Sequence, residues 1–167
     1  TWNSFVDDAK DFVQMFSSDK LCFSGHSMGA IIALKLSIEF SEISKLFLID
    51  PVLPGPKFSS YGRVKKFFRL NKTSYMVLAA KNRRFEFTSK QEAFKHFKGR
   101  GAYKSWDDDI LQDYLNGGMI IEENRSYLSC HPHWEAEVFN TASLDTWKYI
   151  KKVKCEVFVP YALIAST

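Results

Sequence analysis

The segment Gly25-His26-Ser27-Met28-Gly29 constrains the fold of this chain more than any other feature. It follows a short apolar run at 20–23 and precedes a run of helical composition at 30–40. A strand, a sharp turn and a helix in this order predict a nucleophile elbow, in which the serine stands on a strained turn. Glycine is expected at both flanking positions because a side chain at either would collide with the strand and the helix. We therefore predict that Ser27 is a nucleophile and that the Met28 N–H faces a developing oxyanion at the helix N-terminus.

Hydrophobic periodicity predicts a layered arrangement around this turn. Apolar residues at helical spacing indicate an amphipathic helix at 2–17. A nearly continuous apolar run indicates a second helix at 28–40, buried deeply between layers. Three apolar runs, near 20–24, 45–50 and 155–160, are predicted to form adjacent parallel strands that are buried on both faces. The buried stripe of the first helix is expected to contain Trp2, Phe5, Ala9, Phe12, Val13 and Phe16.

The segment from 51 to 150 is predicted to be a mostly helical insertion. It begins at a Pro-rich break over 51–56, which interrupts regular structure. One helix is expected at 89–98, with Ser89 and Glu92 as a capping box. The remaining expectations are helices within 63–84, at 107–115 (ended by Asn116-Gly117-Gly118), at 132–139 and at 144–152, and a hairpin of 119–121 with 126–128.

Several runs resemble the α/β-hydrolase family. Leu21–Ala30 is similar to its nucleophile strand and elbow, and Lys45–Pro51 and Lys154–Val159 are similar to the two strands that follow. Inside the insertion, Gly99–Tyr103 and Cys130–Ala136, with Trp106, Val138 and Phe139, resemble a bacterial subgroup of capped hydrolases. The resemblance implies an α/β fold class: a partial α/β-hydrolase fold with three parallel strands and flanking helices. It places the hydrolase core at 1–50 and 151–167 and a helical cap, or lid, at 51–150.

The resemblance also implies that the chain is a fragment. A family member carries further strands before Thr1, including the loop that supplies the second oxyanion N–H. It also carries a further strand and helix after Thr167, with the catalytic histidine on a loop there. We therefore expect the isolated chain to be inactive and marginally stable.

The catalytic acid is left open by the sequence. The family's usual acid follows the strand after the cap, and 161–167 contains neither Asp nor Glu. Asp50, at the end of the second strand, occupies a position that some relatives use for the acid. Equally, Asp50-Pro51 is a common start of a turn that ends a strand. Both interpretations of Asp50 are retained.

A serine at the elbow, rather than an aspartate, indicates acyl transfer. The expected reaction is carboxylic-ester hydrolysis through an acyl-enzyme on Ser27. An acyltransferase, a carbon–carbon bond hydrolase and a non-catalytic ligand-binding protein on the same scaffold remain alternatives, because function depends on the site and not on the fold.

Four further residues are candidates for substrate binding: His26, His131, His133 and Trp134. His26 has the alternative role of a packing and hydrogen-bonding residue within the elbow. The His131-Pro132-His133 pair lacks a third ligand at suitable spacing, so we predict no metal site and no cofactor.

Charge is concentrated in one part of the chain, whose net charge is +4. Between 57 and 104 there are fourteen Lys and Arg residues against only Glu86 and Glu92. The segment is either an ordinary solvated surface or a positive mouth that attracts an anionic ester. Phenylalanines at helical spacing among these charges favour a cap core over a nucleic-acid surface, so the predicted partner is a small molecule.

The remaining composition is that of a globular domain. The apolar fraction is 46%, and no apolar run approaches the roughly 20 residues that span a bilayer. Of three cysteines, Cys22 and Cys155 lie in strands predicted to be buried. We expect free thiols in a reducing cytoplasm and no membrane association. The oligomeric state is left open.

Overall fold

The computed structural model describes residues 1–16, 20–53, 74–123, 125–142 and 146–160. In chain order the elements are α1 (Trp2–Gln14), β1 (Leu21–His26), α2 (Met28–Glu39), β2 (Ile43–Ile49), α3 (Tyr75–Lys81), β3 (Glu86–Phe87), α4 (Lys90–Phe97), a 3-10 helix (Gly101–Tyr103), α5 (Asp108–Gly118), β4 (Met119–Ile121), β5 (Ser126–Leu128), α6 (Pro132–Asn140), α7 (Trp147–Ile150) and β6 (Glu156–Phe158).

These residues divide into two compact units. The first contains 1–53 and 141–160, and the second contains 74–140. The part of the Pro-rich break at 54–56, and any helix within 63–73, lie outside the described residues.

The first unit is built on a parallel sheet with the strand order β1-β2-β6. The register pairs His26 with Ile49 and Phe47 with Phe158. Parallel neighbours need a crossover connection, and α2 supplies the one between β1 and β2. The prediction of three adjacent parallel strands is confirmed.

The core of the first unit lies between the sheet and α2. Ala30, Ile31 and Leu34 of α2 are wholly buried, as is Leu46 of β2. Burying each large side chain contributes about 1.5–3 kcal/mol. From α1, Val6 and Val13 join the same cluster.

The outer stripe of α1 differs from the prediction. The helix ends at Gln14 instead of reaching 17, and its side chains of lowest exposure are Trp2, Val6 and Val13. Phe12 and Phe16 are 61% and 55% exposed. The predicted stripe was too wide, because α1 packs against α2 along a narrower line of residues.

The strands are not buried on both faces, which corrects a second expectation. Along β1, exposed and half-buried residues alternate, and Cys22 and His26 are exposed. Cys155 is half-buried rather than buried. Neighbouring side chains on a strand point to opposite faces, and only one of these faces packs into the core with α2. On the other face, the rings of Phe47 and Phe158 stack with centroids 4.8 Å apart.

The second unit contains an antiparallel sheet with the order β3-β5-β4. The hairpin of β4 and β5 was predicted, but β3 was not. The sequence analysis counted Phe85 and Phe87 among the phenylalanines at helical spacing. Their separation of two residues is instead that of an extended segment, and Phe87 lies in β3. The larger core cluster of this unit consists of Phe87, Ala93, Phe97, Leu111, Leu115, Met119 and Leu128.

Two helix ends in this unit refine the sequence analysis. Ser89 Oγ accepts the Glu92 N–H at 3.1 Å, which confirms half of the capping box. The Glu92 carboxylate, however, accepts from the N–H and hydroxyl of Thr88, at 2.7 and 2.9 Å.

The C-terminal end of α5 also differs from the prediction, because the helix runs to Gly118 instead of ending before it. Its terminal carbonyl, that of Gly118, accepts the Ser129 N–H at 2.9 Å, so no left-handed glycine is needed there.

Among the described residues, no helix is both long and apolar enough to cross a membrane.

Candidate functional site

Ser27 occupies the turn between β1 and α2. Its backbone has φ 53° and ψ −113°, a left-handed conformation that costs a non-glycine residue about 1–3 kcal/mol. The side chain is half-buried. Strain at a single residue between a strand and a helix is what the nucleophile-elbow motif predicts at this position. The role of Ser27 as a nucleophile stays a prediction.

Gly25 makes the sharp turn possible. A Cβ built on Gly25 would lie 2.3 Å from the carbonyl carbon and oxygen of Gly29 and 2.6 Å from the Ala30 nitrogen. Contacts this short with backbone atoms do not occur in folded proteins, so α2 can approach β1 only because residue 25 lacks a side chain.

Gly29 does not have the role that the sequence analysis gave it. A Cβ at this position would meet no atom of the described residues within 4 Å. Its φ lies outside the left-handed range as well. The two glycines of the motif therefore differ: the approach of the helix to the strand is close at the first and open at the second.

Hydrogen bonds join the elbow to the neighbouring strand ends. The Ser27 N–H donates to the Ile49 carbonyl at 3.0 Å, and the Asp50 N–H donates to the Pro160 carbonyl at 3.2 Å. These bonds tie together the carboxyl ends of β1, β2 and β6, which is the edge where open α/β sheets bind ligands. The sequence analysis missed both acceptors. Ile49 is the last residue of β2, and Pro160 lies two residues beyond the end of β6.

Asp50 has a left-handed backbone, with φ 41°. It is exposed at the end of β2, the strand that pairs with β1. Asp adopts this conformation more readily than most residues. The backbone therefore suits the turn interpretation of Asp50, and the position at the same sheet edge as Ser27 suits the acid interpretation.

The start of α2 is free to interact with an anion. Ser27 makes no side-chain capping hydrogen bond, and the first turn of α2 holds no acidic residue. The first N–H groups of a helix have no intrahelical acceptor and carry a partial positive charge. The Met28 N–H belongs to this set, so it is available in principle for a developing oxyanion.

His26 shares one face of β1 with Ser24 and Cys22. All three are exposed, because alternate residues of a strand point to the same side. His26 pairs in register with Ile49, whose carbonyl accepts from Ser27. The packing role expected for His26 is not seen among the described residues, since its side chain lies at the surface.

His131, His133 and Trp134 cluster at the start of α6, in the second unit. The His133 N–H donates to His131 Nδ1 at 3.2 Å. The His131 ring also lies against Phe85, with centroids 4.7 Å apart. Trp134 is 66% exposed. Their use in substrate binding stays a prediction.

A cavity of about 310 Å³ adjoins His131 within the second unit. His131, Phe85, Arg125 and Tyr127 contribute to its wall. Arg125 pairs with Glu122 at 2.7 Å, which lowers the pKa of the Glu122 carboxyl. Among the described residues, no group of three or more His, Cys, Asp or Glu side chains is placed to hold a metal ion.

Comparison with known proteins assigns the fold. No family model matches the chain. The glycine–tRNA ligase beta subunit of Helicobacter pylori is 29% identical over 126 residues, which is 75% of this chain and 16% of that protein. This similarity covers too little of the ligase to assign a family.

Solved structures give a consistent result. An alpha/beta hydrolase from Novosphingobium aromaticivorans has a TM-score of 0.63 at 16% identity, over 95% of this chain and 54% of its own. A peroxisomal alpha-beta-hydrolase of Saccharomyces cerevisiae has a TM-score of 0.61 at 14% identity, over 97% and 54%. A thioesterase domain from the curacin biosynthetic pathway has a TM-score of 0.61 at 15% identity, over 95% and 54%. The chain has an α/β-hydrolase fold and spans about half the length of these proteins.

Proposed function

We propose that the intact protein is a serine hydrolase that cleaves carboxylic esters through an acyl-enzyme on Ser27. One observation carries the proposal: Ser27 has a left-handed backbone between β1 and α2, and its N–H is bonded to Ile49. A residue is held in such a conformation only where its surroundings compensate for the strain, and this is typical of active sites. The solved thioesterase domain of the same fold supports a reaction of the ester class.

The proposed reaction has two stages. Ser27 Oγ attacks the ester carbonyl carbon while a histidine takes the hydroxyl proton, and the carbonyl oxygen becomes an oxyanion. The Met28 N–H donates to that oxyanion, an interaction whose removal typically costs about 3 kcal/mol of transition-state stabilisation. The alcohol then leaves with the proton from the histidine. Water, activated by the same histidine, hydrolyses the acyl-enzyme and regenerates the Ser27 hydroxyl.

Two components of this reaction are assigned outside the 167 residues. We place the general base and the second oxyanion donor in further parts of the intact protein, because the solved neighbours are nearly twice as long as this chain. Asp50 is the candidate acid within the chain, since it lies at the same sheet edge as Ser27.

The substrate is proposed to be a small-molecule ester, with a lid formed by 51–150. His26, His131, His133 and Trp134 are the proposed substrate-binding residues. The excess of basic residues between 57 and 104 favours an ester with an anionic group. We propose a cytoplasmic location on the basis of three cysteines that are all free.

The test is covalent labelling of Ser27. The intact protein, incubated with a fluorophosphonate probe, is expected to be labelled and to hydrolyse short-chain p-nitrophenyl esters. Ser27→Ala is expected to lose both properties while keeping its circular dichroism spectrum. Ser24→Ala is the matched control, because Ser24 is an exposed serine of β1, the strand that Ser27 follows. The 167-residue chain alone is expected not to hydrolyse the esters.

Two results would contradict the proposal. Full labelling of the Ser27→Ala variant would place the nucleophile elsewhere. A folded intact protein that is neither labelled nor active would favour the non-catalytic, ligand-binding alternative.

A further inference from the structure

A wide groove lies in the first unit at the end of the sheet remote from Ser27. Its walls are the end of α2 with the two residues after it (37–41), the start of β2 (43–45), and the segment from 151 to the first residue of β6, Glu156. The volume is about 990 Å³. Ser27 instead follows the carboxyl end of β1, and a strand as long as β2 spans about 20 Å. The groove is therefore separate from the elbow.

The rim of the groove is positively charged. Five exposed lysines contribute to it, namely Lys20, Lys45, Lys151, Lys152 and Lys154. Two glutamates also contribute, but each already pairs with a lysine. Glu39 bonds Lys10 at 2.6 Å, and Glu156 lies 3.5 Å from Lys45.

Three of these lysines are uncompensated. Lys151, Lys152 and Lys154 form no ion pair within the described part of the chain, and all three stand on four consecutive residues. Like charges held this close repel one another, and a polyanion that bridges them would relieve the repulsion. The described lining of the groove therefore carries an excess of positive charge.

The floor of the groove is apolar. Ile38, Phe40, Val153 and Cys155 are half-buried there. A charged rim above an apolar floor matches a ligand in which carboxylates flank apolar side chains. A flat lipid surface would meet the rim but leave the floor empty. A nucleic acid would use arginine and exposed ring faces, whereas the described lining has no arginine and Phe40 is half-buried.

We propose that this groove binds an acidic, amphipathic segment of a partner protein. Aspartate or glutamate side chains of the partner pair with Lys151, Lys152 and Lys154. An apolar side chain between them packs on the floor beside Phe40 and Val153. The interaction does not involve Ser27, so it stands or falls independently of the proposed esterase activity.

The experiment measures peptide binding to the intact protein by fluorescence anisotropy. The probe is a fluorescein-labelled peptide of alternating Glu and Leu. One control peptide has Gln in place of Glu, and the other has Ser in place of Leu. The Glu-Leu peptide is expected to bind at least about tenfold more tightly than either control. Binding is expected to weaken as the salt concentration rises from about 50 to about 300 mM, because the lysines are exposed and screened.

A pair of triple variants locates the site. The first triple variant is expected to weaken binding about tenfold or more. It combines Lys151→Ala, Lys152→Ala and Lys154→Ala. The control replaces Lys81, Lys95 and Lys104, which are equally exposed but belong to the second unit, and is expected to bind within about twofold of the unchanged chain. Amide NMR signals of 151–156 and 37–41 are expected to shift when the peptide is added.

Other outcomes overturn the proposal. Equal losses in the two triple variants would show nonspecific attraction to a basic protein. Tighter binding of a single-stranded oligonucleotide, or of vesicles containing phosphatidylserine, would assign the groove to a different partner. If the Glu-Leu peptide does not bind at low salt, the proposal that the groove binds an acidic, amphipathic segment is wrong.

Discussion

Replacing Gly25 by alanine is the sharpest test of how the elbow is built. The added methyl group would lie 2.3 Å from the Gly29 carbonyl carbon and oxygen, and 2.6 Å from the Ala30 nitrogen. Ordinary contacts of this kind are about 3.5–4.0 Å long. All three atoms belong to the backbone of the first turn of α2, so no side-chain rotation can relieve the overlap.

Relief requires a movement of α2 away from β1 by about 1 Å. That movement would disturb Ala30 and Leu34, which are wholly buried against the sheet. Overpacking of a core costs about 1–3 kcal/mol, and displaced backbone places this substitution at the upper end. We expect Gly25→Ala to lower the free energy of unfolding of the first unit by about 3 kcal/mol or more.

Gly29→Ala is the matched control within the same motif. Its Cβ would meet no atom of the described residues within 4 Å, and the residue lies in α2 with an ordinary φ. Alanine is favoured over glycine inside a helix by up to about 1 kcal/mol. This variant is therefore expected to be neutral or slightly more stable.

Native-state hydrogen exchange is the suitable assay, because the chain has two compact units and a single melting temperature would average them. The opening free energy of amides in β1 and β2 is compared among the intact protein and its two variants. Equal protection in Gly25→Ala and Gly29→Ala would refute the steric argument. A loss confined to Gly29→Ala would show that the second glycine, and not the first, limits the approach of the helix.

Two further predictions concern single carboxylates. Asp50→Asn removes the charge but keeps a residue that tolerates the left-handed backbone. If Asp50 is the catalytic acid, this variant of the intact protein is expected to lose about 100-fold or more in kcat with unchanged stability. If Asp50 is only a turn residue, Asp50→Asn is expected to stay active, and Asp50→Ala alone is expected to lose stability. The Glu92 pKa is lowered from 4.5 to about 2 by the backbone N–H of Thr88, by Arg84 and by the Thr88 hydroxyl. Because the folded pKa lies below the unfolded one, the stabilisation is present above pH 4.5 and is lost as the pH falls through about 2. Glu92→Gln is expected to flatten the pH dependence of urea unfolding in that window, and a carboxyl NMR titration midpoint near 4.5 would contradict the assignment.

Local order along the chain could be predicted from the sequence because it follows from short-range chemistry. The strand–Ser27–helix turn is encoded by Gly25 together with apolar runs on each side. The parallel pairing of β1 and β2 agrees with the helical run between them, because parallel neighbours need a crossover connection. The Ser89 cap and the hairpin of β4 and β5 likewise depend on residues within a few positions of one another.

Other features were decided by contacts between distant residues. The sequence assigned the same role to Gly25 and Gly29, yet only the packed helix shows that one position is crowded and the other open. The burial of Cys22 and Phe12 was predicted wrongly, because an apolar or small residue does not by itself reveal which face of its element meets a neighbour.

The site shows the same division. Sequence alone determined that Ser27 stands on a turn, since the motif and its flanking elements are contiguous. Only the tertiary structure decided that this turn is bonded to Ile49 and that Asp50 is bonded to Pro160, from a strand more than one hundred residues along the chain. The physical reason is that a backbone carbonyl carries no sequence signature. Its role depends on the strands that the fold brings beside it, and the register of those strands is fixed by the packing of the whole sheet.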